Sequence, residues 1–178
     1  MNLVQGGEHF FCAYCRTYFF PTESDDGVKV LGEVSDVPCP VCKIPLVSAS
    51  ISKISVLHCT TCRGILAKQP LFRAIVDYRR AISPELSLPP RPWKPKDDKR
   101  RLQCPICDRS MDNHVYYGPG HVVIDTCAHC AVVWLDHGEL SNIVNAPGRD
   151  RGRLLGDAED ILWEERDELP PSKLFMNH

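Results

Sequence analysis

All ten cysteines of this 178-residue chain fall in Cys-x-x-Cys pairs, at 12/15, 39/42, 59/62, 104/107 and 127/130. Two thiolates at that spacing reach one ion from a single tight turn, and a second such turn completes a tetrahedron. One pair followed roughly 15–20 residues later by another is a zinc signature. Here 16 residues separate Cys42 from Cys59, and 19 separate Cys107 from Cys127. The pattern predicts two closed Zn2+ sites: Cys39, Cys42, Cys59 and Cys62, then Cys104, Cys107, Cys127 and Cys130. Thiol redox chemistry is the rival reading. It expects one reactive pair beside a βαβ unit, and the sequence has no such pattern.

Disulfide frameworks use irregular spacings, and Met1 to Phe11 lacks the basic start and apolar core of a secretory signal. No apolar run approaches the ~18 residues needed to span a bilayer. With 43% hydrophobic residues and a net charge of only −2, the chain does not read as disordered either. A soluble cytoplasmic protein is expected.

The two quartets sit in an internal repeat. Cys39-Pro-Val-Cys42 aligns with Cys104-Pro-Ile-Cys107, and Leu46 with Met111. Counted from Cys62 and Cys130, Ile65-Leu66 aligns with Val133-Trp134, and Phe72, Ile75, Val76 with Leu140, Ile143, Val144. The second copy carries three extra residues between its knuckles, which Tyr117-Gly118-Pro119-Gly120 accommodates as a turn. Each unit therefore reads as knuckle, hairpin, knuckle, short strand, short helix. In copy two, Asp136 serves as N-cap with Glu139 three residues later, close to a capping box. In copy one, Pro70 suits the first helical turn, Leu71, Phe72, Ile75, Val76 and Tyr78 form the apolar stripe, and Ser83-Pro84 ends the helix. Trp134 is expected to pack its helix onto the hairpin.

Cys104-Pro-Ile-Cys107, Cys127-Ala-His-Cys130 and Val133-Trp134-Leu135-Asp136-His137-Gly138-Glu139-Leu140 together resemble the transcription-factor-IIB-like zinc-ribbon family. That family's pattern is Cys-Pro-x-Cys, a hairpin, Cys-x-x-Cys, then Gly-x-Trp-Leu-Asp-x-Gly-Glu-Leu. Copy two departs from it at Val132, which holds the glycine position. Copy one keeps the four cysteines and Gly64 but reads Leu66-Ala67-Lys68-Gln69-Pro70-Leu71-Phe72 over the rest. The resemblance covers residues 37–80 and 103–146. It implies a ribbon fold, four thiolate ligands per site and an association with nucleic acid or transcription.

The fold class expected is small, metal-stabilised and β-rich (α+β). Its segments are an N-terminal half-ribbon hairpin (1–36), ribbon one (37–82), a proline-rich basic linker (83–102), ribbon two (103–147) and an acidic helical tail (148–178). The orphan pair Cys12/Cys15 has His9 three residues upstream, so His9, Cys12 and Cys15 offer three ligands to a third Zn2+. A reduced structural pair and a local disulfide are the alternatives there.

Charge is uneven along the chain. Residues 37–80 hold seven basic and one acidic side chain, and residues 81–103 six and three, whereas residues 104–148 hold one and five. Each four-thiolate site adds about −2 more, and ribbon one with its linker stays basic even so. Phosphate contacts are therefore expected from Lys43, Arg63, Lys68, Lys99, Arg100 and Arg101, with Lys53, Arg73, Arg79 and Arg80 adding to the same field. No nucleophile–base motif or phosphate-cradling glycine loop is present. A zinc held by four cysteines also has no open position for an activated water. The reading is a non-catalytic binding module of the nucleic-acid or transcription machinery. The alternatives are a protein–protein adaptor working through the linker or tail, and a thiol redox protein using Cys12/Cys15.

Overall fold

A computed structural model of the chain describes residues 2–3, 10–12, 17–19, 22–83, 100–116 and 122–146. Near the N-terminus, β1 (Asn2–Leu3), β2 (Phe10–Cys12) and β3 (Thr17–Phe19) form a three-stranded antiparallel sheet, with Cys12 opposite Thr17. The expected orphan hairpin is thus a β2–β3 pair. The acidic helix expected in the tail lies outside the described residues.

The rest is one seven-stranded sheet. Ribbon one supplies β5 (Pro45–Ile51), β6 (Ile54–His58) and β7 (Ile65–Lys68), followed by α1 (Gln69–Ile82). Ribbon two supplies β8 (Asp112–Val115), β9 (Val123–Cys127) and β10 (Val132–Leu135), followed by α2 (Glu139–Val144). An eleven-residue strand, β4 (Val28–Pro38), pairs with β5 and extends ribbon one outward. The strand order is β4-β5-β6-β7-β10-β9-β8. Between β5 and β6 the chain reverses over Ser52 and Lys53, whose φ values of 51° and 69° make the two-residue turn that suits the twist of paired strands. In ribbon two, Val115 pairs with Val123, so the extra residues of that copy lie between these strands, as expected.

The ribbons meet by pairing β7 with β10. Val132 faces Lys68, Val133 faces Ala67, Trp134 faces Leu66 and Leu135 faces Ile65. Leu66 and Trp134 are each the fourth residue after the last cysteine of their ribbon, and they face each other. The register therefore carries a local twofold axis through that pair, and the mirrored strand order follows from it.

Alternation along the strands sorts the core into two layers. On one face Ile65, Ala67, Val133 and Leu135 join Leu71, Phe72, Ile75 and Val76 of α1 and Leu140, Ile143 and Val144 of α2. On the other, Leu66, Val132 and Trp134 join Leu46, Leu57, Leu102, Met111 and the cysteines. Both cysteine clusters thus share one face, and the helices share the opposite one. Trp134 lies on the cysteine face, fully buried. It does not pack the helix onto the hairpin as expected, because the one-residue step from Val133 and from Leu135 turns it to the other face of β10.

α1 forms as its pattern predicts, with Pro70 in the first turn and Ser83 as C-cap. The helices touch through Arg80, whose guanidinium donates to the Ile143 carbonyl at 3.0 Å, and through Ser83 Oγ with Asn145 Oδ1 at 3.2 Å. Arg80 is buried, its charge 6.0 Å over the Tyr116 ring, so it is a packing residue and leaves the expected phosphate-facing set. Among the described residues, no helix is long and apolar enough to cross a membrane.

Candidate metal centres

Each knuckle is built the same way. The residue just after its second cysteine sits in the left-handed region: Lys43 (φ 62°), Arg63 (60°), Asp108 (56°) and Ala131 (51°). That kink turns the chain back over its two cysteines. In three knuckles it is closed by two backbone bonds. The N–H of Lys43, Arg63 and Asp108 donates to the carbonyl of the knuckle's first cysteine, at 2.9 Å in each case. The first cysteine's own N–H donates five residues on, to Ile44 (2.7 Å), Gly64 (2.9 Å) and Arg109 (2.8 Å). Cys42 N–H also points at Cys39 Sγ, 3.2 Å away.

The β-hairpins then bring the knuckles together. The sulfurs of Cys39, Cys42, Cys59 and Cys62 lie within 4.8 Å of one another, as do those of Cys104, Cys107, Cys127 and Cys130. Four sulfurs about 2.3 Å from a common ion stand about 3.8 Å apart. Cys39 and Cys62 are 3.7 Å apart, and so are Cys107 and Cys127. A disulfide would need about 2.05 Å, and all eight cysteines are free. The donor set, its number and its spacing fit tetrahedral zinc.

The acid–base chemistry agrees. Burial pushes the Cys62 and Cys130 thiols well up and Cys104 up to about 11, while the backbone N–H of Arg109 draws Cys107 down. Without an ion, each cluster would keep much of its proton load. A divalent ion must displace those protons, so zinc affinity strengthens as pH rises.

These features define a protein with two closed four-thiolate zinc ribbons joined into one sheet. Residues 103–146 match the model of a family described as a transcription factor zinc-finger. Ribbon two is thus similar to the zinc ribbons of transcription-factor-IIB type, and the Cys39–Cys62 cluster is consistent with a tandem copy. Neither a curated protein nor a solved structure matches the chain.

The expected site residues divide sharply. The eight ribbon cysteines assemble as foreseen. His9, Cys15 and the side chain of Cys12 lie outside what is described. Lys43 and Arg63 are exposed at the kinks of zinc site one, and Lys68 is half-buried in β7. Arg101 is exposed, and Lys99 lies outside the described residues. Arg100 is consumed internally: it pairs with Asp125 Oδ2 and Asp136 Oδ2, both at 2.7 Å. It does not belong with the residues expected to meet phosphate. His114, His129 and His137 are exposed.

Two features escaped sequence reasoning. Asp136 does not cap α2 with its side chain, because its Oδ1 accepts from Trp134 Nε1 at 3.0 Å and its Oδ2 binds Arg100. The cap comes from Asp26, 1% exposed, whose carboxylate accepts from Gly138 N–H (2.6 Å), Ser141 N–H (3.0 Å) and Ser141 Oγ (2.8 Å). Arg79 donates to the Asp26 carbonyl, tying the same residue to α1. Gly138, at φ 84°, is a glycine for its backbone conformation, since nothing crowds the place of a Cβ.

Only half of the expected capping box survives: Glu139 Oε2 accepts from Asp136 N–H at 2.8 Å. Burial, with Asp136 beside it, pushes Glu139 up to about 9. A carboxyl raised above its ordinary value near 4.5 stabilises the fold fully below that pH, and the contribution is lost as pH rises through about 9. Glu139→Gln keeps the acceptor and removes the titration. Its Tm, measured against the parent chain from pH 5 to pH 9, should gain progressively with pH. A pH-independent difference would contradict the assignment.

Proposed function

We propose that the chain is a non-catalytic zinc module that engages nucleic acid in the transcription machinery, with ribbon one making the contacts. The observation that carries this reading is the asymmetry of the knuckle kinks. In ribbon one the kink residues are the exposed cations Lys43 and Arg63; in ribbon two they are Asp108 and Ala131. Ribbon one thus presents two cations at its zinc-bearing tip, with exposed Lys53 and Arg73 elsewhere on the same ribbon. Such cations bind phosphate by releasing counterions, so affinity must fall steeply with salt. A zinc enclosed by four thiolates offers substrate no coordination position, which supports a binding role over a catalytic one.

Fluorescence anisotropy of the zinc-loaded chain with labelled DNA and RNA, between about 50 and 200 mM salt, tests the reading. Binding is expected at the low end. Lys43→Glu with Arg63→Glu should weaken it at least tenfold and flatten the log–log salt slope by roughly 2 on duplex DNA. No binding to any nucleic acid at 50 mM salt would overturn it.

A further inference from the structure

Gly64 and Trp134 sit in different ribbons, yet each is shaped for the other. Gly64 follows Cys62 by two residues, and its carbonyl accepts the Cys59 N–H, so it is part of the second knuckle of zinc site one. Its φ is not left-handed, so conformation does not require a glycine. Space does: a Cβ there would clash with Cζ2 of Trp134 and stand only 2.6 Å from Cη2. The ring of ribbon two therefore lies on the knuckle of ribbon one. Asp136 holds the indole N–H from behind at 3.0 Å, and Arg100 holds Asp136 at 2.7 Å.

The local twofold axis has a counterpart on its other side. Leu66, opposite Trp134, is the diagonal neighbour of Val132, which follows Cys130 by two residues. Both are buried in the cysteine-side core. One contact is thus a large ring on a glycine, and the other a leucine on a valine. Pairing two copies of ribbon two in this register would put Trp134 on Val132, where the ring has no room. Two copies of ribbon one would leave Leu66 over Gly64 with a gap.

We infer that the zinc sites are supported crosswise, with Trp134 a positioning residue for the Cys39/Cys42/Cys59/Cys62 site and Leu66 for the Cys104/Cys107/Cys127/Cys130 site. The unequal size pairing makes each ribbon the other's dedicated partner. Groups that hydrogen-bond metal ligands commonly change metal affinity 10–100-fold when lost, and the apolar shell around a site controls solvent access to it. In this chain, part of that shell arrives from the other half of the sheet.

The full zinc-loaded chain is challenged with a chelator in the presence of an alkylating agent, and modified cysteines are located by mass spectrometry. In Trp134→Leu, the four cysteines of site one should be modified first, at least tenfold faster than in the parent chain. The four of site two, which are nearer Trp134 in sequence, should lag behind. In Leu66→Ala the order reverses. Gly64→Ala, harmful in the parent background, should become harmless in Trp134→Leu, where the ring is gone. Loss of site two first in Trp134→Leu, or equal loss of both sites, overturns the inference. So does a Gly64→Ala penalty that persists without the ring.

Discussion

Removing both zinc ions with a strong chelator is expected to abolish the seven-stranded sheet, neither ribbon keeping its own part. Ribbons of this size bury too little apolar surface to fold alone, and a structural zinc contributes ~10–16 kcal/mol in comparable small domains. That exceeds most of the ~5–15 kcal/mol by which whole domains are stable. The cysteine-side core would fail first, because Cys39, Cys59, Cys104 and Cys127 are themselves buried members of it. Amide NMR dispersion during chelation is the readout, and dispersion that persists after the metal is gone would refute the expectation. Replacing one ligand, as in Cys59→Ser, should disturb the amides of Val132–Leu135 as well, since β7 is their partner strand.

The second large effect is expected at Arg100. Its guanidinium answers Asp125, 2% exposed on its side chain, and Asp136, 37% exposed. Asn113 Nδ2 also donates to Asp125, at 3.3 Å. Removing one member of a fully buried pair costs about 3–5 kcal/mol, because the other charge stays desolvated and alone. Arg100 keeps about a third of its side chain in water, so Arg100→Leu should cost roughly 2–3 kcal/mol. Chemical denaturation with zinc in excess measures this. A loss below about 0.5 kcal/mol would place the pair with ordinary surface ion pairs. The result also bears on nucleic-acid experiments. Charge reversal across 99–101 would weaken binding partly by unfolding, whereas Lys43 and Arg63 report on binding more cleanly.

Much of this was legible in the residues. The cysteine spacing identified both clusters, since a two-residue gap admits few geometries, and the apolar period placed α1 from Pro70 to Ser83 almost unaided. What stayed hidden depends on partners far away in sequence. Asp136 has the right local neighbours for an N-cap, yet Trp134 and Arg100 claim its carboxylate, and Asp26 takes over the cap from 112 residues away. Arg100 reads as one of three consecutive cations until Asp125 is folded against it. The β5–β6 turn carries Ser52-Lys53 in place of the Asn-Gly that would have announced it. The union of the ribbons left only a faint trace, in two departures from one pattern: a missing tryptophan at Leu66 and a missing glycine at Val132. Each looks like decay alone. Across β7 and β10 each has a counterpart.

The pairing of β7 with β10 also imposes an order of events during synthesis. Ile65, Leu66 and Ala67 are wholly covered in the finished sheet, but their covering strand is encoded nearly 70 residues later. At ~5–20 residues per second, ribbon one waits roughly 3–14 s with an apolar, hydrogen-bond-hungry edge exposed to the cell. That interval, more than any property of the mature molecule, is when this chain is open to strand capture by the wrong neighbour.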